Sequence, residues 1–491
     1  MTKLFELVEV PEGYRLQDYA EFAYLAPKVA ELEAIGRETV PRLSGRTIRI
    51  VSSTRQGGGV SEGLPRIVSL FRQLGVDVEW IVIHGPDPDF FVLTKRIHNQ
   101  LHGVENSGLG PEARALYDKA SEAIGAAIAG RFAPGDIMVV HDPQPLGAGA
   151  RVKARVGVAA VWRCHIGIEE VTPAGDEAWA FLKADALAYD RCVFTLPGYA
   201  PPFLADRAVV MSPGIDPLSH KNRDLSVHKI AGILVNGALA ATDHPSIAPP
   251  FAAPALRLQQ GGGFAPAVLP EDIGLLFRPI VTQVSRWDRL KGFGPLIEAF
   301  VRLKQQPDPV RGRRGRRRID QARLVLAGPD PAGVQDDPEA KATLGDLCGR
   351  WQALPPELRR DVAILALPMD SVKDNALMVN ALQRCSTLVV QNSLREGFGL
   401  TVAEAMWKAR PVMGTGACGI RAQVSDGKDG RLVADPLDVD AVAHTLGEML
   451  ADDKQREVWA RNARDRVGRD GLVFREAGEW LKLLASVASR S

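Results

Sequence analysis

Short apolar, β-branched runs alternate along this chain with longer segments whose apolar residues recur at helical spacing. The runs at residues 47–52, 76–83, 137–141, 159–165, 192–195 and 209–212 predict strands in the first half. Those at 278–284, 324–327, 362–367, 388–390 and 411–413 predict strands in the second. The stripe of Leu64, Ile67, Val68 and Phe71 is one of the intervening helices. Strand and helix in alternation predict an α/β fold of two doubly wound, Rossmann-like parallel sheets that face a central cleft.

The pattern also divides the chain. Residues 1–222 form an N-terminal Rossmann-like domain with a polar, mostly helical arm. Residues 223–275 are rich in Ala, Pro and Gly, lose periodicity and read as a linker or insertion. Residues 276–472 form the second Rossmann-like domain, and 473–491 a C-terminal helix expected to return to the first.

Composition narrows the class. An apolar share of 46% over 491 residues supports large cores. The 60 Lys and Arg nearly cancel the 59 Asp and Glu, so overall charge predicts neither nucleic-acid nor membrane binding, and any anion site must be local. The scattered Cys164, Cys192, Cys348, Cys385 and Cys418 form no CxxC pair and suit a reducing cytoplasm. The acidic N-terminus lacks the apolar core of a signal peptide, and no apolar run is long enough to span a membrane. Residues 311–318 hold six arginines; a solvated loop is the simpler reading and an acidic-partner patch the alternative.

The candidate chemistry sits where strands end. After the run 388–390 the chain breaks at Gly397 and Gly399, turns helical from Leu400 and must stop near Ala409, ahead of Pro411. A strand, a glycine turn and a helix place backbone N–H groups where an anion can bind. Glu396 and Glu404 frame that turn. Arg286 and Lys291 follow the first strand of the second domain, a guanidinium fork and a point charge suited to a diphosphate. In the first domain the strand 47–52 runs into Gly57, Gly58 and Gly59, a loop that lets backbone approach a ligand. Two further strand ends carry His141-Asp142-Pro143-Gln144 and Trp162-Arg163-Cys164-His165. Asp87 and Asp89 could suggest a metal-dependent sugar-nucleotide enzyme but fit a helix cap as well. Lys95, His98, Asn99 and His102 share one helix face without a third zinc ligand, so no metal site is expected.

Together these motifs resemble the GT-B fold and the retaining glycosyltransferases of family 4. GGGVSE at Gly57, FFxxTKxxHNxLxG from Phe90, HDPQP at His141, WRCHI at Trp162, IDPLSxKN at Ile215 and EGFGLTVAEAMWK at Glu396 are similar to trehalose glycosyltransferring synthases and trehalose phosphorylases. The resemblance implies transfer of glucose from ADP-, UDP- or GDP-glucose to a sugar, most simply glucose to give trehalose, with retention and no required cofactor or metal. It makes His165, Arg286, Lys291 and Glu396 the catalytic set. Gly58, Gly59, Gly397, Phe398, Gly399, Leu400, Thr401 and Glu404 would bind the donor, Glu404 through its ribose. Lys95, Asn99, Asp142, Gln144 and Trp162 would line the acceptor side. A phosphorylase using free phosphate and a non-catalytic sugar- or nucleotide-binding regulator are the alternatives. Small sugars and sugar nucleotides are the expected partners, with no nucleic acid and a homodimer left open.

Overall fold

The computed structural model describes residues 3–55, 59–104, 108–242, 250–268, 272–306, 312–333 and 338–489. The chain divides into two compact units, Met1–Asp216 with Asp470–Ser491, and Pro217–Arg469.

The first unit is built on strands β1 (Phe5–Leu7), β2 (Ile48–Ser52), β3 (Val78–Ile83), β4 (Ile137–His141), β5 (Ala159–Cys164), β6 (Arg191–Phe194) and β7 (Ala208–Val210). Their order in the sheet is β1-β3-β2-β4-β5-β6-β7, parallel except for β1, which pairs antiparallel with β3 at the edge. β4 and β5 are buried along their whole lengths, as expected of strands covered on both faces. The last helix, Val473–Ala488, belongs to this unit and buries Leu481, Leu484 and Ala485.

The second unit carries β8 (Leu256–Leu258), β9 (Phe264–Pro266), β10 (Ile280–Val284), β11 (Arg323–Pro329), β12 (Val362–Leu367), β13 (Leu388–Val390), β14 (Val412–Thr415) and β15 (Gly430–Val433). Their order is β15-β14-β13-β10-β11-β12-β8-β9. The six strands β10 to β15 are parallel, with apolar clusters on both faces, one around Phe300 and Leu446 and one around Leu234 and Leu382.

Two expectations need correction here. The stretch expected to be a linker or insertion, 223–275, is not a linker but falls within the second unit: helix Val227–Asn236 buries Ile233 and Leu234, and the β8–β9 hairpin extends the sheet by pairing β8 antiparallel with β12. Its strands are too short to show a period, and the edge of β12 organises them. The arginine run 311–318, expected to be a solvated loop, lies over residues 312–318 in helix Gly312–Gln321. Arginine is a good helix former, Arg316 pairs with Asp320 one turn on, Arg314 and Arg318 both reach Asp453, and Ile319 is buried beneath. Arg311 lies outside the described residues.

Candidate active site

In the second sheet β10 lies between β11 and β13, so the winding reverses between β10 and β13. At such a switch point the loops leaving the carboxyl ends of two neighbouring strands diverge and leave room for a ligand. Those loops carry Arg286 to Gly292 and Gln391 to Gly399.

The first loop is held by its own residues. Trp287 is buried and donates from Nε1 to the Pro329 carbonyl at 2.7 Å, and the Asp288 carboxylate accepts from the Leu290 N–H at 2.8 Å. Gly292 closes the turn at φ 64°, where a Cβ would run into the Asn392 carbonyl oxygen. The two loops are also stitched together, since Leu394 N–H donates to the Leu290 carbonyl (2.7 Å) and Asn392 Nδ2 to that of Gly292 (3.1 Å).

This stitching brings Lys291 Nζ to 2.7 Å from Glu396 Oε2. The same oxygen accepts from Ser393 Oγ at 3.2 Å and Gln391 Nε2 at 3.3 Å. Gln391 in turn accepts from Thr401 Oγ1 at 3.1 Å, which ties the ion pair to the first turn of helix Leu400–Trp407. Gly399 enters that helix at φ 82° and, as glycine, brings no capping side chain of its own, so the positive end of the helix dipole lies at this turn. Arg286 is exposed. Glu404 lies in the second turn, 4% exposed, with Lys221 Nζ at 3.8 Å. Behind it Lys408 donates to the Glu404 carbonyl and to Asn222 Oδ1, and burial pushes its ammonium pKa down while Glu404 opposes the shift.

In the first sheet the equivalent reversal falls between β2 and β4. Gly57 and Gly58 lie outside the described residues, and Gly59 begins helix Gly59–Gln73. After β4, Asp142 adopts φ 67°, and its carboxylate accepts from the His165 N–H at 2.8 Å. His141 Nδ1 and His165 Nε2 share a hydrogen bond at 3.0 Å with the rings stacked. Burial holds Asp142 up to about 6 and His141 down to about 3, with His165 also well below its usual range; the Arg163 charge adds to both histidine shifts.

Several expected residues take other parts. Trp162 is fully buried and holds Asp142, donating to its carbonyl at 3.0 Å, so it supports the site from behind and does not line it. Lys95 is exposed and Asn99 partly buried on helix Pro88–Leu101, and no described contact ties either to the histidines. Gln144 keeps a buried Oε1 with no hydrogen-bond partner among the described residues. Asp87 accepts from the Asp89 N–H at 2.9 Å, a helix cap, and no group able to hold a metal occurs among the described residues. Sequence reading missed Gln283, Gln391, Asn392 and Ser393, all buried. The signal was present: three polar residues in a row directly after an apolar strand.

Residues 50–201 match the family model described as the N-terminal domain of trehalose synthase, and residues 371–466 that of glycosyl transferases group 1. A trehalose synthase from Pyrococcus horikoshii is 33% identical over 99% of this chain and 99% of its own. The chain belongs to the trehalose synthase and phosphorylase group of GT-B glycosyltransferases. A trehalose phosphorylase from Pleurotus pulmonarius is 28% identical over 89% of this chain, which spans 56% of that longer protein. The solved structure of Anabaena Alr3699/HepE in complex with UDP and glucose shares the fold, with a TM-score of 0.55 at 16% identity, covering 90% of this chain and 100% of its own. This glycosyltransferase is therefore a trehalose-related enzyme, and among its described residues no helix is long and apolar enough to cross a membrane.

Proposed function

We propose that the enzyme transfers glucose from a nucleoside diphosphate glucose to a sugar acceptor with retention, forming trehalose when glucose accepts. The observation that carries this reading is the Lys291–Glu396 pair at 2.7 Å, set at the switch point beside a glycine-led helix N-terminus. A cation, a carboxylate and the amides of a glycine turn at one place suit a ligand that is both phosphorylated and hydroxylated. Lys291 and Arg286 hold the diphosphate, and Glu396 takes hexose hydroxyls with the amides of Gly397, Phe398, Gly399, Leu400 and Thr401. Glu404, in the second helical turn, takes the ribose. His165 contacts the sugar near C1, and Asp142 and Gln144 serve the acceptor.

The bond from C1 to the phosphate oxygen breaks as the acceptor oxygen bonds to C1 on the same face. The acceptor proton passes to the departing phosphate oxygen, and the nucleoside diphosphate leaves with its charge held by Lys291, Arg286 and the helix end. The full-length similarity to a trehalose synthase supports this direction. The Pleurotus relative supports a second reading, in which phosphate takes the diphosphate position and Glu404 has no ribose to bind. Incubation with glucose and ADP-, UDP- or GDP-glucose, and separately with trehalose and phosphate, decides by product. Glucose 1-phosphate formed only in the second mixture would overturn the synthase reading.

A further inference from the structure

Arg163 stands at the carboxyl end of β5, in register with His141 on β4. It is fully buried, and Nε, Nη1 and Nη2 have no hydrogen-bond partner among the described residues. A guanidinium left in that state is costly unless its charge has a use. Its surroundings suggest the use. The pair His141–His165 lies beside it, and the C-terminal helix brings two groups to the same end of the sheet. Trp480 packs on His141 with ring centroids 6.3 Å apart, and Glu476, 8% exposed, accepts from the Gly214 N–H at 2.8 Å. The Glu476 and Asp142 charges are the main ones that favour the buried guanidinium.

The hydrogen bond between the rings sets what each protonation state can do. Two neutral imidazoles carry one N–H each, and one of those protons fills the bridge. Of the two outer nitrogens, His141 Nε2 and His165 Nδ1, one then donates and the other accepts, and the roles exchange only when both rings change tautomer, the bridge proton crossing to one ring as that ring's outer proton leaves and the other ring's outer nitrogen gains one. A further proton turns both outer nitrogens into donors and abolishes the acceptor. A sugar hydroxyl that must be held by donation to a ring nitrogen is served only by the neutral pair.

We propose that Arg163 is a positioning residue: its fixed charge, balanced by Glu476 of the C-terminal helix, adds to burial in keeping the His141–His165 pair neutral and so able to accept as well as donate. This rests on the reading of His165, the partly exposed member of the pair, as the substrate-facing one. Among the described residues, the other ionisable groups that act on Arg163 or Glu476 are Asp142 on the loop after β4, Cys164 on β5, and Arg475 and Glu479 on the C-terminal helix. Asp142 and Glu476 would favour an imidazolium when ionised; burial raises the pKa of both carboxyls, which weakens that pull.

The test uses the full ligand-free chain labelled with 15N-histidine, with the ring nitrogens followed from about pH 8 to about pH 5. His141→Gln and His165→Asn spectra assign the signals. The wild-type pair is expected to keep neutral shifts throughout, whereas in Arg163→Met at least one ring begins to titrate toward the acid end of that range, its midpoint raised but still held by burial below the ordinary value of about 6.5. The kcat/KM of Arg163→Met should gain an acid limb, falling about tenfold per pH unit below that midpoint. Titration of either ring in the wild type, or a neutral pair throughout in Arg163→Met, overturns the proposal. Should Arg163→Met fail to fold, Glu476→Gln takes its place: with the balancing charge removed the pair must stay neutral, and titration there overturns the idea equally. The titration needs no substrate, so the expected spectra without any glucosyl transfer would sustain the Arg163 assignment and sink the proposed function.

Discussion

Replacing Lys291 by alanine removes the cation that the two switch-point loops are built to present. Its ammonium lies 2.7 Å from Glu396, and the two side chains are 14% and 12% exposed, so the pair is neither a screened surface pair nor a sealed one. After the substitution Glu396 retains Ser393 and Gln391 as donors, at 3.2 and 3.3 Å. The fold should therefore lose only about 1–2 kcal/mol, less than the ~3–5 kcal/mol of a buried charge abandoned outright. The reaction should lose more. Charge developing on the departing diphosphate would lack one preorganised donor, a deficit of about 3 kcal/mol and hence roughly a hundredfold or more in kcat. Lys291→Arg restores charge without the same point geometry and should recover part of the rate. Thermal melts and steady-state kinetics with varied sugar nucleotide separate the two effects. Unchanged turnover in Lys291→Ala, with the melt shifted as expected, would falsify the assignment of Lys291 to the leaving group.

Other substitutions probe the neighbouring structure. Gly292→Ala forces a side chain into a left-handed position at φ 64° and against the Asn392 carbonyl, so a loss of at least about 1–2 kcal/mol in stability is expected, with activity falling alongside as the loops part. A melt and activity equal to wild type would show that the loops are not locked together there. Glu404→Gln should raise the KM for sugar nucleotide and leave any reaction of trehalose with phosphate nearly unchanged; equal effects on both would remove the ribose assignment. Leu234→Ala, at a fully buried position in the segment first read as linker or insertion, should cost about 2–5 kcal/mol in a denaturant titration, whereas a true linker would tolerate it within about 0.5 kcal/mol.

Most of the parallel strands were legible because a strand covered on both faces leaves a dense apolar signature, as 362–367 and 388–390 do, and these two match the observed bounds. The glycine turn and Glu396 were legible for a related reason: Gly399 stands where a positive φ is required, and local sequence carries that demand. Edge elements were harder. β1, β8 and β9 have three residues each and exist because a neighbouring strand offers unpaired backbone groups, a condition no local pattern records. The arginine-rich helix was hidden for another reason, since the charges that suggested a solvated loop are satisfied by Asp453, far along the chain.

By itself the sequence determined the fold class and most of the parallel strands of both sheets, because periodicity, glycine and proline act over a few residues. Only the tertiary structure decided which groups share a neighbourhood. It paired Lys291 with Glu396 across 105 positions, sealed Trp162 behind Asp142, and set Glu476 and Trp480 of the last helix with Arg163 and the histidine pair. Those partners lie too far apart in the chain for any local rule to join them, and it is burial in the folded units that turns their charges into constraints on one another.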